Sequence, residues 1–290
     1  MNMKNQQRIN WKQGMEITPE IFIESDHYHI AERQMLSALI ASCGYGIFPN
    51  SKFTIDYELH NNKIEIRIAN CIALTKNGEV INIQQNTAFI KELPIYEVSE
   101  CYAVLSLVHQ AQKQTDESEL HIVPQYDISF LRTNELIENG IPVLKLLKQN
   151  SSWEIDAHYI PPAIALNALH LLTNKFIEIK DVIKKIIGCY PEKDAHYLTL
   201  MMLQIELNNF SSKESPEALT IMMKKFCFLF QTHLKNVKEM EPLQSVKTFM
   251  DILYNPNEIE KTLALGLLSL MEILKIFEVA PAPEIEEIKV

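Results

Sequence analysis

Positive charge is in short supply: 27 Lys and Arg face 37 Asp and Glu, a formal net charge of -10. A surface of that sign repels phosphate backbones, which excludes nucleic acid as a natural partner. The four arginines, Arg8, Arg33, Arg67 and Arg132, all precede residue 160, so the second part of the chain has no guanidinium to fork onto a carboxylate or phosphate. Glycine is scarcer still, at 7 residues against 13 prolines. None of the glycine-dependent templates G-x-G-x-x-G, G-x-x-x-x-G-K-[ST] or G-x-S-x-G occurs, and neither does H-E-x-x-H. The five cysteines, Cys43, Cys71, Cys101, Cys189 and Cys227, never form C-x-x-C and sit in apolar surroundings, which suits reduced, buried thiols. No apolar run reaches the roughly 18 residues of a membrane span, and the opening MNMKNQQRINWKQG lacks a signal-peptide core. The chain therefore reads as a cytoplasmic protein without direct membrane insertion.

What is present is a change of period along the chain. Thr18-Pro19-Glu20 supplies an N-cap, a proline at the first helical position and an acidic first turn, predicting a helix over 19–43. Beyond Gly44 and Gly46 the apolar residues alternate, in 53–59, 63–68, 72–74 and 80–83. Further strands are expected at 101–108, 120–123, 126–131, 142–147 and 153–159, a β-sandwich or barrel pattern. Ile160-Pro161-Pro162 ends it, and helices are expected at 162–187, 191–209, 215–237, 242–254 and 257–277. The fold class is thus α+β: a β-sandwich-like domain over 1–160, preceded by an arm and a helix, then an all-α bundle over 161–280 and a loose tail over 281–290.

Chemistry is hard to find in this pattern. In Asp26-His27-Tyr28-His29 the two imidazoles lie about 200° apart on a helix and cannot share an ion. Cys227, between Phe226 and Phe228, has no adjacent base to activate it. No catalytic, cofactor or metal residue is assigned. In the first long helical segment Ile164, Leu169, Leu172, Phe176, Ile179 and Ile183 form an apolar stripe, flanked by Lys175, Lys180, Lys184 and Lys185. The pattern alone leaves open whether a helix of the same chain or a symmetry mate covers it.

Two segments have a wording that propensity does not explain. Ile9-Asn10-Trp11-Lys12-Gln13-Gly14-Met15-Glu16-Ile17-Thr18-Pro19-Glu20-Ile21-Phe22 resembles the W-x-x-G-M-x-L-x-P-x-H-F opening of the TssK family, baseplate proteins of type VI secretion systems. Gly140-Ile141-Pro142-Val143-Leu144-Lys145, followed by Asp156-Ala157-His158-Tyr159-Ile160-Pro161-Pro162, is similar to that family's I-P-L-A-K/R and D-x-x-F-I-P-P segments. Ile21 stands where the family has His. The resemblance covers roughly residues 9–280 and implies a β-rich shoulder followed by a helical neck, without the family's C-terminal head.

Further expectations rest on that resemblance. It implies a non-enzymatic structural adaptor, without cofactors, that forms a homotrimer and binds wedge proteins of the TssF and TssG type. It tips the stripe of the first long helix towards a three-fold neck, and it implies a non-standard membrane anchor in place of the usual membrane complex. Trp11, Gly14, Met15, Pro19 and Phe22 are read as the pin of arm to shoulder, with partner contact as the smaller share; Phe22 is expected to anchor the first helix on the β-layer. Pro142, Asp156, Tyr159, Pro161 and Pro162 are read as makers of the domain junction. The competing readings are a cytosolic small-molecule-binding or hydrolytic protein with a β-barrel and helical cap, and a phage tail receptor-binding-like protein.

Overall fold

The computed structural model describes residues 14–16, 18–41, 44–49, 52–60, 62–94, 98–108, 125–132, 135, 137–149, 152–189, 197–238, 241 and 243–279. The described chain is α+β, with ten strands in three antiparallel sheets and six helices. It divides into two compact units, 1–157 and 158–290.

The first unit opens with helix α1 (Pro19–Ala41), started as the sequence predicts at Thr18, whose hydroxyl helps hold the Glu20 carboxyl below the usual range. One sheet has the order β1 (Gly46–Ile47), β4 (Cys71–Leu74), β5 (Val80–Ile83); a second has β2 (Thr54–His60), β3 (Lys63–Ala69), β6 (Thr87–Glu92). The third is β10 (Ser152–Ile155), β9 (Gly140–Gln149), β7 (Glu100–Leu107), β8 (Tyr126–Arg132). The predicted strand at 120–123 lies outside the described residues.

Asn70 explains how one run of sequence serves two sheets. Ile64, Ile66 and Ile68 are fully buried, and after Asn70 the buried positions become Cys71 and Ala73, so the alternation has slipped by one. Asn70 has φ 52, the left-handed conformation Asn tolerates better than most residues, and it turns β3 out of one sheet and β4 into the next. Side chains then tie the sheets together. Lys91 of β6 pairs with Asp127 of β8 at 2.6 Å. Tyr126 of β8 donates its hydroxyl to the Asn82 carbonyl of β5 at 3.1 Å and accepts from the Asn82 amide at 3.1 Å.

The second unit is helical. After a 3-10 turn at Leu166–Ala168 come α2 (His170–Gly188), α3 (Tyr197–Asn209), α4 (Pro216–Lys238), α5 (Gln244–Asp251) and α6 (Ile259–Val279). α6 packs against α2, α4 and α5. Gly266 makes this packing possible, because a Cβ there would stand 2.7 Å from the Phe249 ring and closer still to Met223. Lys224 of α4 donates to the Met250 carbonyl at 3.0 Å and the Ile252 carbonyl at 2.6 Å, placing a cation on the C-terminal carbonyls of α5.

The first long helix starts eight residues later than its propensity predicts. Over 162–169 the chain instead hydrogen-bonds elsewhere in the unit: the Leu166 amide donates to Glu214 O at 2.9 Å and the Asn167 amide to Ser212 O at 2.8 Å. Ala165 and Leu169 are extended, and helix begins only at His170.

Cys71, Cys101 and Cys227 are buried, and burial pushes each thiol up to about 12. These thiols stay protonated in the fold at pH values where an unfolded chain ionises them. Their contribution to stability is therefore intact below about pH 9 and declines as the pH rises from there towards 12. In native protein at pH 8 a small alkylating reagent should modify exposed Cys189 and spare these three, all three reacting only in denaturant.

Candidate assembly surfaces

The apolar stripe of α2 does not face a symmetry mate. Leu172, Ile179 and Ile183 are 0% exposed and Phe176 is 7% exposed within the single chain. Packing of α2 against α6 and α3 accounts for this burial, and the Phe176 ring meets that of Phe210 with centroids 5.9 Å apart. Ile164 and Leu169 are half-buried and precede the helix altogether. The neck expectation for this stripe is corrected: it is core, and a seam made of it would require the unit to open.

The apolar surface left open lies elsewhere. α3 exposes Leu198 (77%), Met202 (71%) and Ile205 (59%), spaced four and three residues apart and hence on one face, while Leu200 and Leu207 on the opposite face are fully buried. α4 shows the same arrangement, with Ile221 and Phe228 outward and Met223, Phe226 and Phe230 inward. The two open rows are neighbours, because Lys225, between Ile221 and Phe228, pairs at 2.6 Å with Glu206, beside Ile205. Phe228 also leads into a pocket of about 310 Å³ lined by Gln231, Val246, Lys247, Met250 and Asp251. The sequence did carry a signal for this surface. Residues 197–209 are apolar on nearly every side, and a helix apolar all round must be covered twice.

In the first unit, Trp11 lies outside the described residues. Gly14 has φ 82, a left-handed turn suited to glycine, and Met15 and Pro19 are exposed. Phe22 is 59% exposed, and Ile23 and Ile30 of α1 are also exposed, so most of the Phe22 side chain lies outside the core.

Pro142 sits at an irregularity in the pairing of β7 with β9, where Ala103 faces Leu144 and Val104 faces Pro142, leaving Val143 as the extra residue. β10 reaches only residues 146–149 of β9, so the missing proline N–H falls where β9 has a neighbour on one side alone. The half-buried Asp156 donates its amide to Lys145 O at 2.9 Å. Tyr159 is 5% exposed, and Pro161 and Pro162 are buried in the run that leads to the 3-10 turn.

Among the described residues no group of three or more His, Cys, Asp or Glu side chains is placed to hold a metal ion, and no helix is long and apolar enough to cross a membrane.

No protein-family model matches the chain, and no curated protein matches it in sequence. Solved structures do match in fold. A crystal structure of TssK superposes with a TM-score of 0.62 at 13% identity, covering 93% of this chain and 69% of that one. TssK from the type VI secretion system of EAEC, solved with a nanobody, gives 0.60 at 16% identity over 88% of this chain and 69% of that one. A chain of the TssK-TssF-TssG baseplate subcomplex of the type VI secretion system gives 0.61 at 14% identity, over 93% of this chain and 99% of that one. The chain has a TssK-like fold, as the two sequence motifs lead one to expect.

Proposed function

We propose that this protein is a non-enzymatic structural adaptor of a type VI secretion baseplate, acting as a homotrimer that binds wedge proteins of the TssF and TssG type. The observation that carries the reading is the fold, which matches TssK along nearly the whole chain and matches a chain of a TssK-TssF-TssG assembly almost end to end. The arm and junction motifs, in the order and spacing that the TssK family shows, support it from the sequence. In this reading the paired open faces of α3 and α4 form the seam between copies. Burying apolar side chains of this size contributes roughly 1.5 to 3 kcal/mol each, which favours association over a monomer displaying all five. Trp11, Gly14, Met15, Pro19 and Phe22 pin the arm to the β-rich part, and the exposed Met15 adds a partner contact. The Pro161-Pro162 run, with Asp156 and Tyr159, fixes the exit of the chain from the β-rich part into the helices. A cytoplasmic location and a non-standard membrane attachment belong to the same reading.

Co-expression with the TssF- and TssG-type proteins encoded in the same genome tests this function. Affinity capture of this chain should bring both down in a complex that survives size-exclusion chromatography. Recovery of this chain alone, from cells in which both partners are soluble, would sink it.

A further inference from the structure

The strand β2 is an open edge: it pairs with β3 and, among the described residues, with nothing on its other side. Its inner face continues the apolar surface of the sheet, since Ile55, Tyr57 and Leu59 stand opposite Ile68, Ile66 and Ile64. Those three residues of β3 are 0% exposed, whereas Tyr57 is 43% and Leu59 37% exposed, so the core's cover stops one strand short. The outer face of the same strand is acidic. Asp56 and Glu58 project there; Arg67 meets Glu58 at 2.9 Å and Glu65 at 2.7 Å, sharing one guanidinium between two carboxylates, His60 meets Glu58 at 3.2 Å with Lys63 opposite it in the ladder, and Asp56 stands opposite Arg67. β2 holds neither a proline nor a lysine, the residues that commonly blunt a free edge.

We propose that β2 receives a strand from another protein, an extended segment that alternates basic with apolar side chains. Such a segment completes the ladder with main-chain hydrogen bonds, covers Tyr57 and Leu59 with its apolar side, and sets its cations beside Asp56 and Glu58. A second copy of this chain is a poor occupant. Antiparallel self-pairing centred on Tyr57 places Asp56 opposite Glu58 of the copy, a like-charge pair in each of two positions. The inference stands on the sheet edge alone and does not depend on the baseplate reading.

The test is hydrogen exchange on the full-length chain with a peptide of about nine residues alternating lysine and valine, long enough to span the strand. Amides within 54–60 should exchange about tenfold more slowly at saturating peptide. An N-methylated version of the peptide, which cannot complete the ladder, should give no such protection. The double variant Asp56→Asn, Glu58→Gln, checked for an unchanged circular dichroism spectrum, should weaken binding markedly. Absence of protection, or equal protection by the N-methylated peptide, overturns the proposal. So does protection that appears with rising protein concentration and no peptide, which would mean that the edge pairs with itself.

Discussion

Replacing Leu172 and Phe176 together by Asp should unfold the helical unit instead of merely separating subunits. Both side chains lie inside the chain's own core, at 0% and 7% exposure, where α2 packs on α6. Truncating either to a small residue already costs about 2 to 5 kcal/mol, and the substitution also forces two carboxylates into an apolar site. Because a domain is stable by only about 5 to 15 kcal/mol, the sum exceeds what the unit can lose. Far-ultraviolet circular dichroism should show most of the helical signal lost, and hydrogen exchange should show residues 170–279 unprotected. A folded helical unit of altered mass would mean instead that the stripe faces another copy, against the packing seen here.

Gly140→Val should be comparably severe for the first unit. A Cβ at Gly140 would stand 2.5 Å from Val104 Cγ1 and 2.8 Å from the Leu105 carbonyl oxygen, and the second contact is with backbone that cannot rotate away. The clash falls where β9 begins its pairing with β7, two residues from the Pro142 irregularity, so relieving it means parting the two central strands of the sheet. A loss of about 3 kcal/mol or more is expected, read as a fall in the denaturant midpoint. Gly140→Ala should show the same effect in weaker form. If the valine variant kept the wild-type midpoint, the β7–β9 register described here would be wrong.

Much of this architecture is legible in the residues, and the failures have physical causes. The alternation in 63–68 marks β3 because one of its faces is dry and the other wet. β6 escapes the same reading, since in Thr87-Ala88-Phe89-Ile90-Lys91-Glu92 the two large apolar residues are adjacent and Ile90 points outward at 66% exposure. Residues 162–169 look helical by propensity, and hydrogen bonds to Ser212 and Glu214, some 45 residues away, override it. For α2 the periodicity identifies the apolar face correctly but carries no information about what covers it. The open faces of α3 and α4 are missed for the converse reason. An all-round apolar helix such as α3 has no single face for a periodicity argument to find. The TssK likeness itself was legible from the order and spacing of two short motifs, the second of which also supplies core residues such as Ile141, Leu144 and Ile160.

Central to this account is a chain that assembles with itself through a surface left open on the folded monomer. Light scattering after size-exclusion chromatography, on the wild-type chain and on the double variant Met202→Glu, Phe228→Glu, addresses that directly. About three times the chain mass of 33.5 kDa is expected for the wild type. The variant should run as a monomer with unchanged helical content, because both side chains lie in the open and their replacement leaves the core intact. A wild-type chain that stays monomeric across a tenfold range of concentration, or a variant that keeps the trimeric mass, would contradict it.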